Sequence, residues 1–119
     1  MQTIDIKYLN PKKGSKILDL GCGQGRHCFG AYMFVDADVF GFDMNHEDVI
    51  KAKENFKDFD ESSTNKSCSF GVTDGRKLPF ESNSFDYVIC SEVLEHIIDF
   101  ELVIEEIERI LKPGGMFAA

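Results

Sequence analysis

The sequence lacks a long apolar run and is poor in positive charge, and both absences narrow the class of protein. Its 119 residues include 13 lysines and arginines against 21 aspartates and glutamates, so the formal net charge is −8. Because no basic cluster offers phosphate-neutralising cations, we expect no nucleic-acid partner. No apolar stretch is long enough to cross a bilayer, and the first residues lack the layout of a secretion signal. We therefore expect a soluble, cytoplasmic protein without a membrane span.

Cysteine pairs of the metal-binding kind are also missing. The cysteines form no C-x-x-C pair, and no histidine lies at zinc-ligand spacing from any of them. The sequence therefore indicates no metal site, and we expect reduced thiols with packing roles. The length suits one domain and is too short for two, so residues 1–119 are expected to form a single domain.

Short apolar runs alternate with segments of helical spacing along the chain. Strands are predicted over 16–20, 38–43, 68–74 and 85–90, and helices over 26–35, 45–56 and 100–111. This alternation predicts a doubly wound α/β fold, with a mainly parallel sheet and helices on both faces. The KPGG segment is expected to end the last helix. Residues 116–119 are typical of the opening of a fifth strand, so we expect either a piece of a longer protein or a sheet edge completed by another chain.

A glycine loop follows the first predicted strand. In KILDLGCGQGRH the pattern is G-x-G-x-G, from Gly21, Gly23 and Gly25, and Arg26 stands where a dinucleotide-binding loop has its last glycine. Ligands of such sheets bind beyond the carboxyl ends of the strands, where a following helix offers free N–H groups. Asp19 is a poor neighbour for a pyrophosphate and a good one for an ammonium or sulfonium group. Charge therefore argues against a dinucleotide.

Five segments, in the right order, resemble the class I S-adenosylmethionine-dependent methyltransferases. ILDLGCGQGR resembles the cofactor-binding motif of that family, and GFD at 41–43 resembles the acidic end of its second strand. TDGRKLPFESNSFDYVICSEVLEHI resembles the blocks around its third and fourth strands, and LKPGG resembles the turn before its fifth. The appearance is nearest to the small-molecule branch that includes quinone-biosynthesis methyltransferases. The resemblance implies a Rossmann-like fold of which this sequence holds an incomplete part, because class I enzymes usually have seven strands.

The resemblance also implies a set of binding residues for S-adenosylmethionine and its product S-adenosylhomocysteine. Asp19 and Gly21 would lie near the methionine amino group, and Asp43 would accept hydrogen bonds from both ribose hydroxyls. An acidic residue about 20 positions past the loop is also the general ribose ligand of such sheets. Met44 would pack on the adenine, and Asp74 would accept from its amino group. The cofactor-binding residues assigned in this way are Asp19, Gly21, Cys22, Gly23, Gly25, Asp43, Met44, Asp74, Gly75 and Ser91, with Ser91 in the methionine pocket.

The expected chemistry is in-line methyl transfer to a small-molecule acceptor, in which the protein aligns the reactants and excludes water. A base is required only where the acceptor must lose a proton as it attacks. His96, in the segment SEVLEHI, is the candidate base because an imidazole titrates near neutral pH. The competing interpretation of His96 is a solvated histidine beside two carboxylates.

Two other functions fit parts of the sequence. A NAD(P)-dependent oxidoreductase would use a similar sheet, but Arg26 and Asp19 argue against it. A non-catalytic cofactor-binding or assembly module would keep the fold without turnover. An incomplete sheet favours that module, because an unpaired fourth or fifth strand would promote self-association, whereas the intact loop residues argue against it.

Overall fold

The computed structural model describes residues 2–4, 14–25, 37–59, 67–90 and 99–118. The helix predicted over 26–35 lies outside these residues, as does the segment 91–98. Neither described helix is long and apolar enough to span a membrane. The described elements are β1 (Gln2–Ile4), β2 (Ser15–Leu20), β3 (Ala37–Asp43), α1 (His46–Phe59), β4 (Cys68–Val72), β5 (Phe85–Cys90), α2 (Phe100–Ile110) and β6 (Leu111–Ala118).

All the described strands belong to one parallel sheet, in the order β1-β6-β5-β2-β3-β4. From β2 the chain moves outward through β3 and β4, then crosses back to pair β5 with the other side of β2. This reversal is a topological switch point, and the crevice beyond the carboxyl ends of the strands there is the usual ligand site of such sheets. The predicted Rossmann-like α/β fold with a parallel sheet is confirmed.

The two described helices cover opposite faces of the sheet. Successive side chains of a strand point to opposite faces. Leu18 points to the face where Val103 and Ile107 of α2 are buried. Val39 points to the other face, where Phe56 of α1 packs against it. The helical spacing seen in the sequence therefore corresponds to the buried side of each helix.

The segment after β4 is held against α2 by an ion pair. Arg109 donates to the carbonyl oxygens of Phe80 and Leu78, at 2.8 and 3.1 Å, and to Glu106 at 2.6 Å. Glu106 in turn accepts the backbone N–H of Leu78 at 2.7 Å. The hydrogen bond from Arg109 lowers the pKa of Glu106 below its ordinary value. One arginine and one glutamate thus bind three backbone groups of a segment that has no regular structure of its own.

The last part of the chain differs from the prediction. Helix α2 ends at Ile110, and LKPGG lies inside β6 instead of forming a turn before it. The missed strand β1 pairs with β6, so β6 lies between β1 and β5. The fourth and fifth strands predicted from the sequence are therefore both paired on each side. The expectation that the fourth or fifth strand is unpaired was therefore wrong. The outer strands of the described sheet are β1 and β4, and self-association itself stays a prediction.

Candidate functional site

The glycine loop is fastened to the end of the neighbouring strand β3. The backbone N–H groups of Gly21 and Cys22 donate to the carbonyl oxygen of Phe42, at 2.8 and 3.2 Å. The N–H of Gly23 donates to Oδ2 of Asp43 at 2.8 Å. In the parallel register Leu20 lies opposite Phe42, so the loop starts where β3 is about to end. The loop therefore lies at the carboxyl edge of the sheet.

All three glycines of the loop have left-handed backbone conformations. Their φ values are 81° at Gly21, 55° at Gly23 and 92° at Gly25. Residues with a Cβ rarely adopt such φ values, so this path of the backbone favours glycine at all three positions. Between them, Cys22 is buried as a free thiol against the α1 side of the sheet. The glycines and Cys22 thus shape the loop that faces the site.

Asp43, at the end of β3, is the centre of the site. Its side chain is buried, with 6% of the residue exposed. Oδ2 accepts the N–H of Gly23, and Oδ1 accepts the N–H of Asn45 at 2.8 Å. Asn45 caps α1, because its side-chain oxygen accepts the N–H of Asp48 at 3.0 Å. One carboxylate therefore joins the glycine loop to the start of α1.

An open cavity of about 520 Å³ lies against this junction. Its size falls in the range of about 300–1,000 Å³ that is typical of small-molecule sites. Met44 presents an apolar side chain beside Asp43 and is 73% exposed. The wall thus combines close backbone, a buried carboxylate and an apolar surface. The lining residues are Gly21, Gly23, Asp43, Met44, Asn45 and Asp48.

Four of the predicted cofactor-binding residues meet at this wall, namely Gly21, Gly23, Asp43 and Met44. Three others lie behind it or within the loop: Asp19 is 1% exposed on β2, Cys22 is 5% exposed, and Gly25 is buried. Because side chains alternate along a strand, Asp19 and Asp43 point to the same face of the sheet. Ser91 and His96 lie outside the described residues.

Asp74 lies in the turn after β4, and its carboxylate is bound by Arg76. The guanidinium Nε is 3.0 and 3.1 Å from the two carboxylate oxygens, and Nη2 is 2.6 Å from Oδ2. The side-chain hydrogen bonds, followed by the one from the Arg76 backbone N–H, lower the pKa of Asp74 to about 2. Nη1 of Arg76 also lies 3.4 Å from Asp99 at the start of α2. The described lining of the cavity includes neither Asp74 nor Gly75, so their contact with a ligand stays a prediction.

Asn45 and Asp48 were not among the binding residues predicted from the sequence. Both line the cavity beside Asp43. The available signal was their position, since the first turn of a helix that follows a strand faces the crevice at the carboxyl edge of the sheet. Their neighbour Glu47 is exposed and does not line the described cavity. The turn therefore places one acidic side chain in the wall and one in solvent.

Known proteins resemble this chain in both sequence and fold. Residues 11–119 match a family model described as a methyltransferase domain. The chain is 36% identical over 116 residues to an uncharacterized methyltransferase of Schizosaccharomyces pombe, covering 95% of this chain and 41% of that protein. It is 34% identical over 113 residues to demethylmenaquinone methyltransferase of Staphylococcus aureus, covering 93% of this chain and 44% of that protein.

A solved structure shows the same likeness. Phosphoethanolamine N-methyltransferase 2 of Haemonchus contortus, in complex with S-adenosyl-L-methionine, superposes with a TM-score of 0.80 and 30% identity. The alignment covers 92% of this chain and 24% of that one. The chain therefore spans less than half the length of these three proteins. Because the family match extends over nearly all of the sequence and the parallel sheet agrees with it, this chain belongs to the class I S-adenosylmethionine-dependent methyltransferases.

Proposed function

We propose that residues 1–119 form the cofactor-binding core of an S-adenosylmethionine-dependent methyltransferase. The observation that carries this proposal is the Asp43 carboxylate in the cavity wall, bound to the glycine loop on one side and to α1 on the other. Each carboxylate oxygen accepts one backbone N–H and keeps the capacity for a second hydrogen bond. Two ribose hydroxyls are suitable donors for these two oxygens.

The loop chemistry favours an adenosyl ligand over a dinucleotide. A pyrophosphate needs free N–H groups at the glycine loop. Here Gly21 and Cys22 donate to Phe42, while Gly23 donates to Asp43. These donors are already used, and the acceptor at Gly23 is itself an anion. A ligand with a neutral ribose and a positively charged sulfur suits this wall better than a pyrophosphate does.

The proposal gives each residue of the wall a role. Met44 packs on the adenine through its exposed apolar side chain, and Gly21 and Gly23 allow the ligand to approach the loop backbone closely. Asp19, buried behind the loop, contributes negative charge towards the methionine ammonium group. The roles of Asp74 at the adenine amino group, of Ser91 in the methionine pocket and of His96 as a base stay predictions from the sequence.

The protein's part in catalysis is alignment. S-adenosylmethionine supplies a methyl group on a positively charged sulfur, which leaves as a neutral thioether. The chain therefore has to hold the adenosyl part in one orientation and keep water from the reacting atoms. The Asp43 junction serves alignment, because it immobilises the glycine loop against β3 and α1. A base is required only for an acceptor that must lose a proton.

We further propose a small-molecule methyl acceptor. The names of two relatives, demethylmenaquinone methyltransferase and phosphoethanolamine N-methyltransferase, refer to small molecules. The net charge of −8 supports this choice over a nucleic acid, whose phosphates would be repelled.

Calorimetric titration of the purified protein tests the proposal. We expect S-adenosylhomocysteine to bind at one site and NADH to give no binding heat. Binding of NADH without binding of S-adenosylhomocysteine would overturn the assignment. Turnover with a panel of small-molecule acceptors then separates an enzyme from a module that binds the cofactor without catalysis.

A further inference from the structure

The cavity wall holds a second carboxylate, that of Asp48, to which none of the roles above applies. Asp48 lies in the first turn of α1 and is half-buried. An acidic side chain at this position of a helix often folds back to accept the N–H of the capping residue. Here that N–H belongs to Asn45, and it already donates to Oδ1 of Asp43 at 2.8 Å. The usual partner of the Asp48 side chain is therefore taken, and Asp48 is one of the residues that line the cavity.

The charge of the wall is consistently negative in the described part of the chain. Its lining contains two carboxylates, Asp43 and Asp48, and no lysine or arginine. The positive end of the α1 dipole favours acidic residues at the start of this helix. A phosphate beside this wall would meet both carboxylates.

We propose that Asp48 determines ligand specificity by admitting an adenosyl ligand with free ribose hydroxyls and repelling one with a phosphate on its ribose. The inference rests on the proposed function, because it takes the ribose to lie beside Asp43. Asp43 also repels such a phosphate, but it is buried and accepts the N–H groups of Gly23 and Asn45, so its carboxylate cannot be removed without disturbing the loop and α1. Asp48 is more exposed, and its charge acts on what enters the cavity. Removing one charge within a few ångströms of a phosphate in a partly exposed site changes affinity by about tenfold.

The test compares Asp48→Asn with the matched control Glu47→Gln in the purified protein. Both substitutions remove one negative charge from the first turn of α1, but only Asp48 lines the described cavity. Competition calorimetry at low salt measures the affinities of S-adenosylhomocysteine, adenosine, and adenosine 2′- and 3′-monophosphate. We expect Asp48→Asn to strengthen binding of the two monophosphates by about tenfold relative to any change in the binding of adenosine and S-adenosylhomocysteine. Glu47→Gln is expected to change the monophosphates by less than about threefold, and added salt is expected to shrink the Asp48→Asn effect.

The outcomes separate this inference from the function on which it rests. If S-adenosylhomocysteine binds and Asp48→Asn leaves the monophosphate affinities unchanged, the role of Asp48 is overturned and the proposed function stands. An equal gain in Glu47→Gln also overturns it, because the effect would then come from overall charge. If the unmodified protein binds neither adenosine nor S-adenosylhomocysteine, both the role of Asp48 and the proposed function are overturned. Asp48→Ser provides a second neutral variant, which has to show the same gain, and thermal unfolding checks that each variant is folded.

Discussion

Replacing Asp43 by alanine is expected to weaken both the fold and the binding of the cofactor. The substitution removes the acceptor of two backbone N–H groups, those of Gly23 and Asn45, each at 2.8 Å. Hydrogen bonds to a charged group contribute about 1.5–3 kcal/mol each to stability. Gly23 and Asn45 both line the open cavity, where water can replace the lost acceptor. We therefore expect the free energy of unfolding to fall by about 2 kcal/mol, below the sum of the two bonds.

The loss of binding is expected to be larger than the loss of stability. If Asp43 accepts both ribose hydroxyls, the variant loses two hydrogen bonds to a charged group, or about 3 kcal/mol. That value corresponds to a roughly hundredfold weaker affinity for S-adenosylhomocysteine. Asp43→Asn keeps one acceptor oxygen and is expected to lie between alanine and the unmodified protein.

Asp38 offers a matched control on the same strand. Its Oδ1 also accepts two hydrogen bonds, from the N–H and the hydroxyl of Ser67 at 2.9 and 3.0 Å, but near the opposite end of β3. Urea unfolding measures the stability of Asp43→Ala and Asp38→Ala, and calorimetry measures their affinity for S-adenosylhomocysteine. Asp38→Ala is expected to lower stability and leave affinity within about threefold of the unmodified protein. The reasoning is refuted if the two variants lose affinity equally, or if Asp43→Ala keeps full affinity.

Three further predictions concern the packing that supports the site. Arg109→Ala removes the donor to two carbonyl oxygens of the 78–80 segment and is expected to lower the free energy of unfolding by about 2–3 kcal/mol, measured by urea unfolding. The lowered pKa of Glu106 means that its charged form stabilises the fold above about pH 4.3, and that this contribution is lost as pH falls through the lower folded pKa. The urea midpoint of Arg109→Ala is therefore expected to fall less than that of the unmodified protein between pH 7 and about pH 3.5; an equal fall would contradict the pairing. Gly71→Ala would place a Cβ 2.5 Å from the ring of Phe42, so we expect the free energy of unfolding to fall by about 1–3 kcal/mol. An unchanged thermal unfolding temperature would contradict this close contact.

The main elements of the fold could be predicted because their patterns are local. Burial leaves a pattern in the sequence of these elements. It is seen in the apolar runs of β2, β3 and β5 and in the spacing of Val103, Ile107 and Ile110 in α2. Strand β1 could not be predicted in this way. It has three residues, and it pairs in parallel with residues 116–118 of β6, which are far away in the sequence. A strand this short carries no periodicity, and its pairing depends on where β6 lies in the folded sheet.

The same division holds for the functional site. The sequence by itself determined the glycine loop and Asp43, because the strand, the loop and the acidic residue that ends the next strand follow one another along the chain at a typical spacing. Only the tertiary structure decided that Asp43 binds the loop, that Asp48 lines the cavity, and that Arg76 reaches Asp99 at the start of α2. Each of these depends on which donors and acceptors are left after neighbouring segments have packed together. Hydrogen-bond partners across a sheet edge are set by that packing, and residue order alone does not contain it.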